Sequence, residues 1–259
     1  MQKQLSEEEL LRIFSDKRPI DSITTAFFGI LGKILLFLFL VVVSYFVINV
    51  NAIKQKFDYW YQNDFLAKPY NTAVNLTNEE TSLPKPEEKP VDPMPDLPEN
   101  NLRIPALNIT APTSWRVNNI PAEVSKSLEN GLIQINGTSM PGEKGNMYIT
   151  GHSSNFVWAK GNYNSIFATL DNLVAGDSVY LRFDKKVYIY KVTEKKIVVP
   201  TDLSVMAGTN DTRLTLVTCW PVGTTLKRLV VVANQTDPDP KNNKEPEQQI
   251  KLDSLVGGR

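Results

Sequence analysis

One segment near the N-terminus limits what this chain can be more than any other part of it. From Ala26 to Ile48 the residues are almost all apolar, and Lys33 carries the one charge among them. A helix needs about 20 such residues to cross the hydrocarbon layer of a membrane. Lys33 lies near the start of the run, where its long side chain can reach the interface. We therefore predict one transmembrane anchor over residues 26–50.

A cleaved signal peptide is the alternative interpretation of the same segment. The sequence Val50-Asn51-Ala52 vaguely resembles a small-residue cleavage site. However, the polar residues before the apolar run are many, and the run exceeds the about 7–15 apolar residues of a signal peptide. We favour the uncleaved anchor.

Basic residues are slightly more numerous before the anchor than after it, which favours an N-terminus inside the cell. Residues 1–25 are then a cytoplasmic segment, and the chain after the anchor faces outward. Ser6 and Glu9 resemble a capping box, which predicts a short helix over Glu7–Phe14. The basic residues are Lys3, Arg12, Lys17 and Arg18 before the anchor, and Lys54, Lys56 and Lys68 after it.

Residues 51–99 contain two segments of different composition. The stretch Phe57–Phe65 is rich in aromatic side chains, as is typical of a lipid–water boundary, and we interpret it as a juxtamembrane continuation of the helix. Between Pro84 and Pro98, six prolines alternate with charged residues. This composition favours extended, semi-rigid chain. We predict a stalk, with a Pro-rich docking ligand as the alternative.

Residues 100–234 show short segments rich in Val, Ile, Leu, Tyr and Thr, separated by Gly, Pro, Asn and Asp, which predicts an all-β domain. Strands at this spacing suggest a closed barrel or a sandwich. Short helical turns are expected near 121–129 and 165–170, and residues 235–259 are polar enough to predict a disordered tail. The predicted strands are 101–104, 146–150, 178–183, 186–193, 214–219 and 226–233.

Charge and metal-ligand counts exclude several classes of function. The chain has 28 basic and 28 acidic residues, and this balance argues against nucleic-acid binding. One Cys cannot form a disulfide within the chain. With one His and one Cys, a structural zinc site is improbable, and we predict no metal or organic cofactor.

The single Cys ends an apolar strand, Leu214–Cys219, and a short connection leads to the next strand, in which Arg228 stands near the start. Two strands so joined predict a hairpin that brings Arg228 near Cys219 across the pair. Each residue also has an ordinary interpretation. A lone Cys is often a small buried apolar group, and Arg228 could be a charge on an edge strand.

The single His, His152, follows a predicted strand that ends in Gly151 and opens into a polar loop. Taken alone, a surface histidine is the commoner interpretation. Together the three residues suggest chemistry, because a thiolate is a nucleophile and a nearby imidazole can exchange its proton. A guanidinium keeps its charge and offers a planar fork of donors to an oxyanion.

The segment Thr215-Leu216-Val217-Thr218-Cys219 resembles the active-site motif of the sortase family, Thr-Leu-any-Thr-Cys. Arg228 matches the family's catalytic Arg, and Pro141–Ser153 resembles the segment that carries its His. Residues 170–192 resemble the family's middle strands, and Ile104-Pro105-Ala106-Leu107 resembles its first strand. The resemblance covers about residues 100–234 and leaves the class open, with class D or E as our guess.

The resemblance implies a closed sortase-type β-barrel of about eight strands and a two-step acyl transfer. Cys219 would attack a backbone carbonyl in a sorting motif such as Leu-Pro-any-Thr-Gly, and His152 would protonate the leaving amine and deprotonate the incoming one. Arg228 would stabilise the oxyanion or hold the substrate backbone. The implied partners are a surface protein or pilin that carries the motif, and an amine of the cell wall or a pilin Lys. The implied location is the outer face of the cell membrane.

Three alternatives remain open at this stage. The barrel could be an assembly or binding module, although such a module would not need all three residues. It could be a hydrolase that releases the acyl group to water, which shares the same thioacyl intermediate. A Cys-dependent transpeptidase of another fold fits less well, because its Cys follows a different local pattern. The loops expected to select the motif are Trp158–Ser165 and Pro200–Asp211.

Overall fold

The computed structural model describes residues 6–8, 20–62, 96–156 and 158–250, with side chains from residue 28 onward in the first long helix. It divides into two units, 1–48 and 49–259. Most of the predicted stalk, residues 84–95, and most of the helix expected over Glu7–Phe14 lie outside the described residues. The end of the stalk is described, and there the interpretation as an extended, exposed chain is wrong, because Leu97 is buried and its carbonyl accepts a hydrogen bond from Arg182.

The first unit contains one long helix, α1 (Ile20–Ile48). Within it, Phe28–Ile48 has a mean hydropathy of 2.6, and none of this segment is buried inside the protein. Its length and composition are those of a helix that can cross a membrane, as the sequence predicts. The second unit begins with a shorter helix, α2 (Val50–Trp60), which contains the first residues of the stretch Phe57–Phe65 expected to continue the helix. Residues 63–65 of that stretch lie outside the described residues.

The rest of the second unit is a closed barrel of eight strands in the order β1-β2-β3-β4-β7-β8-β6-β5, which confirms the predicted fold. A short helix, α3 (Pro121–Leu128), lies between β2 and β3, with Pro121 in its first turn as expected. The strands are β1 (Asn101–Ile104), β2 (Ile109–Val117), β3 (Leu132–Ile135), β4 (Gly145–Thr150), β5 (Ser178–Phe183), β6 (Lys186–Val198), β7 (Thr212–Trp220) and β8 (Lys227–Asp237).

Alternate side chains of each strand fill the barrel. On β4 and β7 the inward residues include Met147, Ile149, Leu214 and Leu216, all at most 2% exposed. The outward residues of the same strands, such as Val217, pack under the loop between β6 and β7 in a second apolar layer. Because the side-chain period of a strand is two, this alternation decides which residues reach the outer face, where the site lies.

The structure corrects the sequence interpretation in four places. Strands β2 and β3 were not predicted, because Pro112 interrupts one pattern and the other is only four residues long. Pro105–Leu107 is a 3-10 helix rather than part of the first strand, since Pro105 cannot donate to a ladder. Strand β6 continues through the charged residues 194–196, which stay exposed while their backbone pairs with β8.

The predicted disordered tail is also wrong for residues 235–250. Strand β8 continues to Asp237, and residues beyond it lie along the barrel. The backbone N–H of Ile250 donates to Gly137, and its carbonyl accepts from Gly208 in the loop between β6 and β7. A polar sequence can be ordered in this way when a folded surface supplies backbone partners.

Candidate active site

Cys219 and Arg228 face each other across the β7–β8 hairpin. The two strands are antiparallel, and Cys219 is the direct partner of Arg228 in their register. Side chains of directly opposed residues lie on the same face of a sheet, with Cβ atoms about 4.5–5.5 Å apart. The predicted hairpin and its cross-strand pair are therefore present, and both side chains are partly exposed on the outer face.

His152 reaches the same edge of the barrel from a neighbouring strand. Strands β4 and β7 are parallel, and Thr150 is the partner of Val217. Each chain continues past this pair toward the same edge, and the N–H of Gly151 still donates to the carbonyl of Val217 at 3.3 Å. His152 and Cys219 each stand two residues beyond the pair. The three residues predicted from the sequence are thus brought to one edge.

Both threonines of the Thr215–Cys219 segment have structural roles. The Thr218 hydroxyl donates to the carbonyl of Gly151 at 2.8 Å, in a buried position. The Thr215 hydroxyl donates to the side-chain carbonyl of Asn146 at 2.7 Å, also buried. One threonine therefore ties the nucleophile strand to the residue that precedes His152, and the other ties it to the start of β4.

Asn146 extends this network to the loop between β6 and β7. Its side-chain amide donates to the carbonyl of Val205 at 2.9 Å and to that of Ala207 at 3.0 Å. Asn146 is only 3% exposed, so these hydrogen bonds have no water to compete with them. The loop predicted to select the substrate is in this way attached to the strand that carries Cys219.

A side chain at position 151 would be hindered by space rather than by backbone angle. A Cβ at this position would stand 2.5 Å from Cδ2 of Leu132 and 3.0 Å from Cδ2 of Phe167. Phe167 also donates its backbone N–H to the carbonyl of His152 at 2.9 Å. The turn that presents His152 is therefore closely packed against the inside of the barrel.

Burial affects the pKa of His152. The imidazole is partly enclosed, and desolvation lowers its pKa from the ordinary value of 6.5, because burial disfavours the charged form. Arg228 directs one guanidinium nitrogen to two backbone carbonyls, those of Thr225 and Lys227, each at 3.1 Å. These bonds hold the guanidinium against the backbone at the end of the β7–β8 loop.

Tyr148 is a neighbour of the site that the sequence analysis did not identify. It lies on β4 and packs against the outer apolar layer with Val198 and Val205. Burial raises the pKa of Tyr148 to about 12. The positive charge of Arg228 lowers this pKa in part, and the interaction with Cys219 raises it. In the register, Tyr148 is the partner of Thr215 on the strand that carries Cys219. The sequence could have indicated this residue, because alternate residues of a strand share one face and Tyr148, Thr150 and His152 are two positions apart.

The fold and the site define a closed β-barrel with a thiol, an imidazole and a guanidinium at one edge. A model of the sortase domain matches residues 102–236, slightly more than half of the chain. The chain therefore belongs to the sortase family.

Individual relatives match over parts of their length. Sortase A of Listeria monocytogenes is 36% identical over 89 residues, which are 30% of this chain and only 40% of that protein. The sortase-like protein YwpE of Bacillus subtilis is 38% identical over 74 residues, 29% of this chain and 72% of that one. Among solved structures, sortase C from Clostridium perfringens SM101 is 28% identical, with a TM-score of 0.43 over 53% of this chain and 68% of that chain.

Proposed function

We propose that this protein is a membrane-anchored cysteine transpeptidase that acts on a sorting motif of surface proteins or pilins. The observation that carries the proposal is the pairing of Cys219 with Arg228, at the edge where β4 delivers His152. Membership of the sortase family supports the same activity. The apolar helix α1 supports a single-pass anchor, and the slight excess of basic residues before it supports a barrel on the outer face of the cell membrane.

The proposed reaction has two acyl transfers. The Cys219 thiolate attacks a backbone carbonyl carbon of the motif, and the tetrahedral intermediate collapses when the C–N bond breaks and the protonated His152 gives its proton to the leaving amine. The acyl group is then held as a thioester. An incoming amine, from a cell-wall peptide or a pilin Lys, loses a proton to His152, attacks the thioester carbon and releases the thiolate.

Arg228 is the proposed electrostatic partner of this chemistry. A guanidinium opposite the thiol can donate hydrogen bonds to the oxygen on which negative charge develops. Its contacts with Thr225 and Lys227 orient it before substrate arrives. Such preorganisation stabilises the transition state without a rearrangement at the moment of reaction.

Intact mass spectrometry of the full chain in detergent tests the proposal. The protein is mixed with peptides that contain Leu-Pro-any-Thr-Gly and related motifs, with and without an added amine. We expect a thioester adduct in the wild type that passes to the amine, and no adduct in Cys219→Ala. Release of the acyl group to water alone, even with amine present, would indicate the hydrolase alternative. A folded protein that forms no adduct with any motif would favour the binding module.

A further inference from the structure

Helix α2 is packed on the barrel beside the active site, although it precedes the barrel by about forty residues in sequence. Its enclosed positions recur every three or four residues, which is the spacing of one helical face. Asn49 and Ala52 are 5% and 1% exposed, and Tyr59 packs against the main core. The other positions on this face are Ile53, Gln55 and Lys56, all partly buried.

Lys56 makes the most specific contacts of this face. Its ammonium group lies 2.9 Å from Oδ2 of Asp171 and 5.5 Å from the centroid of the Trp220 ring. A cation within about 6 Å of an aromatic ring is attracted by the electrons of the ring face. Asp171 belongs to the 3-10 helix that ends the loop after His152, and Trp220 directly follows Cys219. One side chain therefore contacts both catalytic segments.

Two further contacts reach the same pair of segments. The side-chain amide of Gln55 donates to the carbonyl of Ile166, one residue before the Phe167 that binds the His152 backbone. At the other end of the helix, a Cβ added to Gly223 would lie only 2.7 Å from Oδ1 of Asn49. Gly223 also has a φ of +85°, so both its backbone and its surroundings call for glycine.

The two segments that α2 contacts are joined to each other. The N–H of Gly223, in the β7–β8 loop, donates to the hydroxyl of Ser154, in the loop after His152, at 3.0 Å. A direct hydrogen bond therefore links the two loops. A helix that holds both loops from outside can fix the geometry between the imidazole and the thiol.

Burial of apolar surface alone does not explain the orientation of α2, because large aromatic side chains of this segment are exposed. Phe57, Trp60 and Tyr61 are 57%, 47% and 40% exposed, while the face toward the barrel includes the polar residues Gln55 and Lys56 beside Tyr59. An eleven-residue helix is marginal by itself in water, so its docked position depends on contacts with the barrel. The specific contacts of Lys56 and Gln55 select this face.

We infer that α2 is a positioning element of the active site, in which Lys56 holds the loop of His152 and the residue after Cys219 in the arrangement that acyl transfer needs. This role rests on the proposed function and adds to it a residue from outside the barrel. Lys56 acts through its neighbours and touches no reacting atom. Misplacement of reacting groups by about 1 Å can cost up to 10²-fold in rate.

The test compares full-length wild type, Lys56→Met and Lys54→Met. Methionine keeps an apolar stem and removes the charge, and Lys54 is an exposed residue of the same helix that serves as the matched control. We expect kcat to fall about 10-fold to 100-fold in Lys56→Met with KM little changed. Lys56→Arg should restore most of the rate, and Lys54→Met should equal the wild type. Unchanged or faster turnover in Lys56→Met would overturn the inference.

Two readouts do not depend on the substrate. The single His gives one set of imidazole resonances, which we expect to shift in Lys56→Met and in Asp171→Asn but not in Lys54→Met. The single Cys can be alkylated with iodoacetamide, and its rate should change in the same two variants. If neither readout responds in folded protein, α2 does not position the site. If they respond while the wild type transfers no acyl group, the proposed function fails and the positioning contact stands.

Salt gives a further check on the same two proteins, the wild type and Lys56→Met. The Lys56–Asp171 pair is partly exposed, so high salt screens it. We expect 1 M NaCl to lower the wild-type kcat toward that of Lys56→Met, and to leave the variant unchanged. An equal response of both proteins to salt would contradict the role of this ion pair.

Discussion

The hydroxyl of Thr218 donates a hydrogen bond to the carbonyl of Gly151 over 2.8 Å, and so joins the residue before Cys219 to the residue before His152. The bond is buried between two parallel strands. The distance between the nucleophile and the imidazole is therefore set in part by this contact between neighbouring strands, and not only by the loops that follow them.

Thr218→Val should therefore lower both stability and turnover. Valine keeps the shape but leaves the Gly151 carbonyl without this donor, which costs about 1–3 kcal/mol in a buried position. Thr218→Ser keeps the hydroxyl and is the control. Thermal unfolding and acyl-transfer assays on the full chain measure both effects. Equal behaviour of the valine variant and the wild type would show that the bond does not contribute.

Gly151→Ala should be destabilising because its Cβ would overlap the Leu132 side chain. Overpacking of this kind costs about 1–3 kcal/mol. Adding Leu132→Val, which withdraws the closest methyl group, should recover part of the loss, and a double-mutant cycle measures the coupling. Strict additivity of the two substitutions would contradict the proposed overlap.

Arg228→Ala should slow acyl transfer by about 10²–10³, the usual effect of losing one oxyanion donor. Arg228→Lys should recover little of it, because lysine keeps the charge but not the planar fork of donors. Single-turnover kinetics of thioester formation provide the measurement. Lys227→Ala, one residue away and exposed, is the control and should keep the wild-type rate.

The pKa of His152 should be measurable directly, because the chain contains one His. Burial lowers this pKa below 6.5 in the folded protein, so the unfolded chain binds the proton more tightly. Between the folded pKa and 6.5 the free energy of unfolding should rise with pH, and acidification through this window should reduce it. An NMR titration locates the pKa, and His152→Gln should lack this part of the pH dependence. A pKa at or above 6.5 would contradict the burial of the imidazole.

Removal of residues 239–259 should destabilise the barrel and its β6–β7 loop. The deletion breaks the backbone bonds of Ile250 to Gly137 and Gly208 and exposes the apolar cluster under them. Each hydrogen bond contributes about 1 kcal/mol, and the loss of Ile250 adds a similar amount. A chain that ends at Ile250 is the control. Unfolding in urea compares the two, and identical midpoints would show that the segment only rests on the surface.

Much of the architecture could be predicted from local patterns. The apolar segment identified α1, and alternation identified β4, β5 and β7 nearly to their ends, because each is a run of residues with one buried face. The hairpin between β7 and β8 followed from its short connection. Strand β3 and the ordered residues 238–250 could not be predicted, since their order depends on partners distant in sequence.

The sequence by itself determined which residues could perform the chemistry: a chain with one Cys, one His and an Arg after a short turn offers few other choices. Only the tertiary structure decided what surrounds them. The parallel register of β4 and β7, the approach of Tyr148 and the docking of Lys56 all join residues that are tens of positions apart. Such contacts depend on the closure of the barrel, because local pattern specifies a strand and its faces but not the strand that will lie beside it.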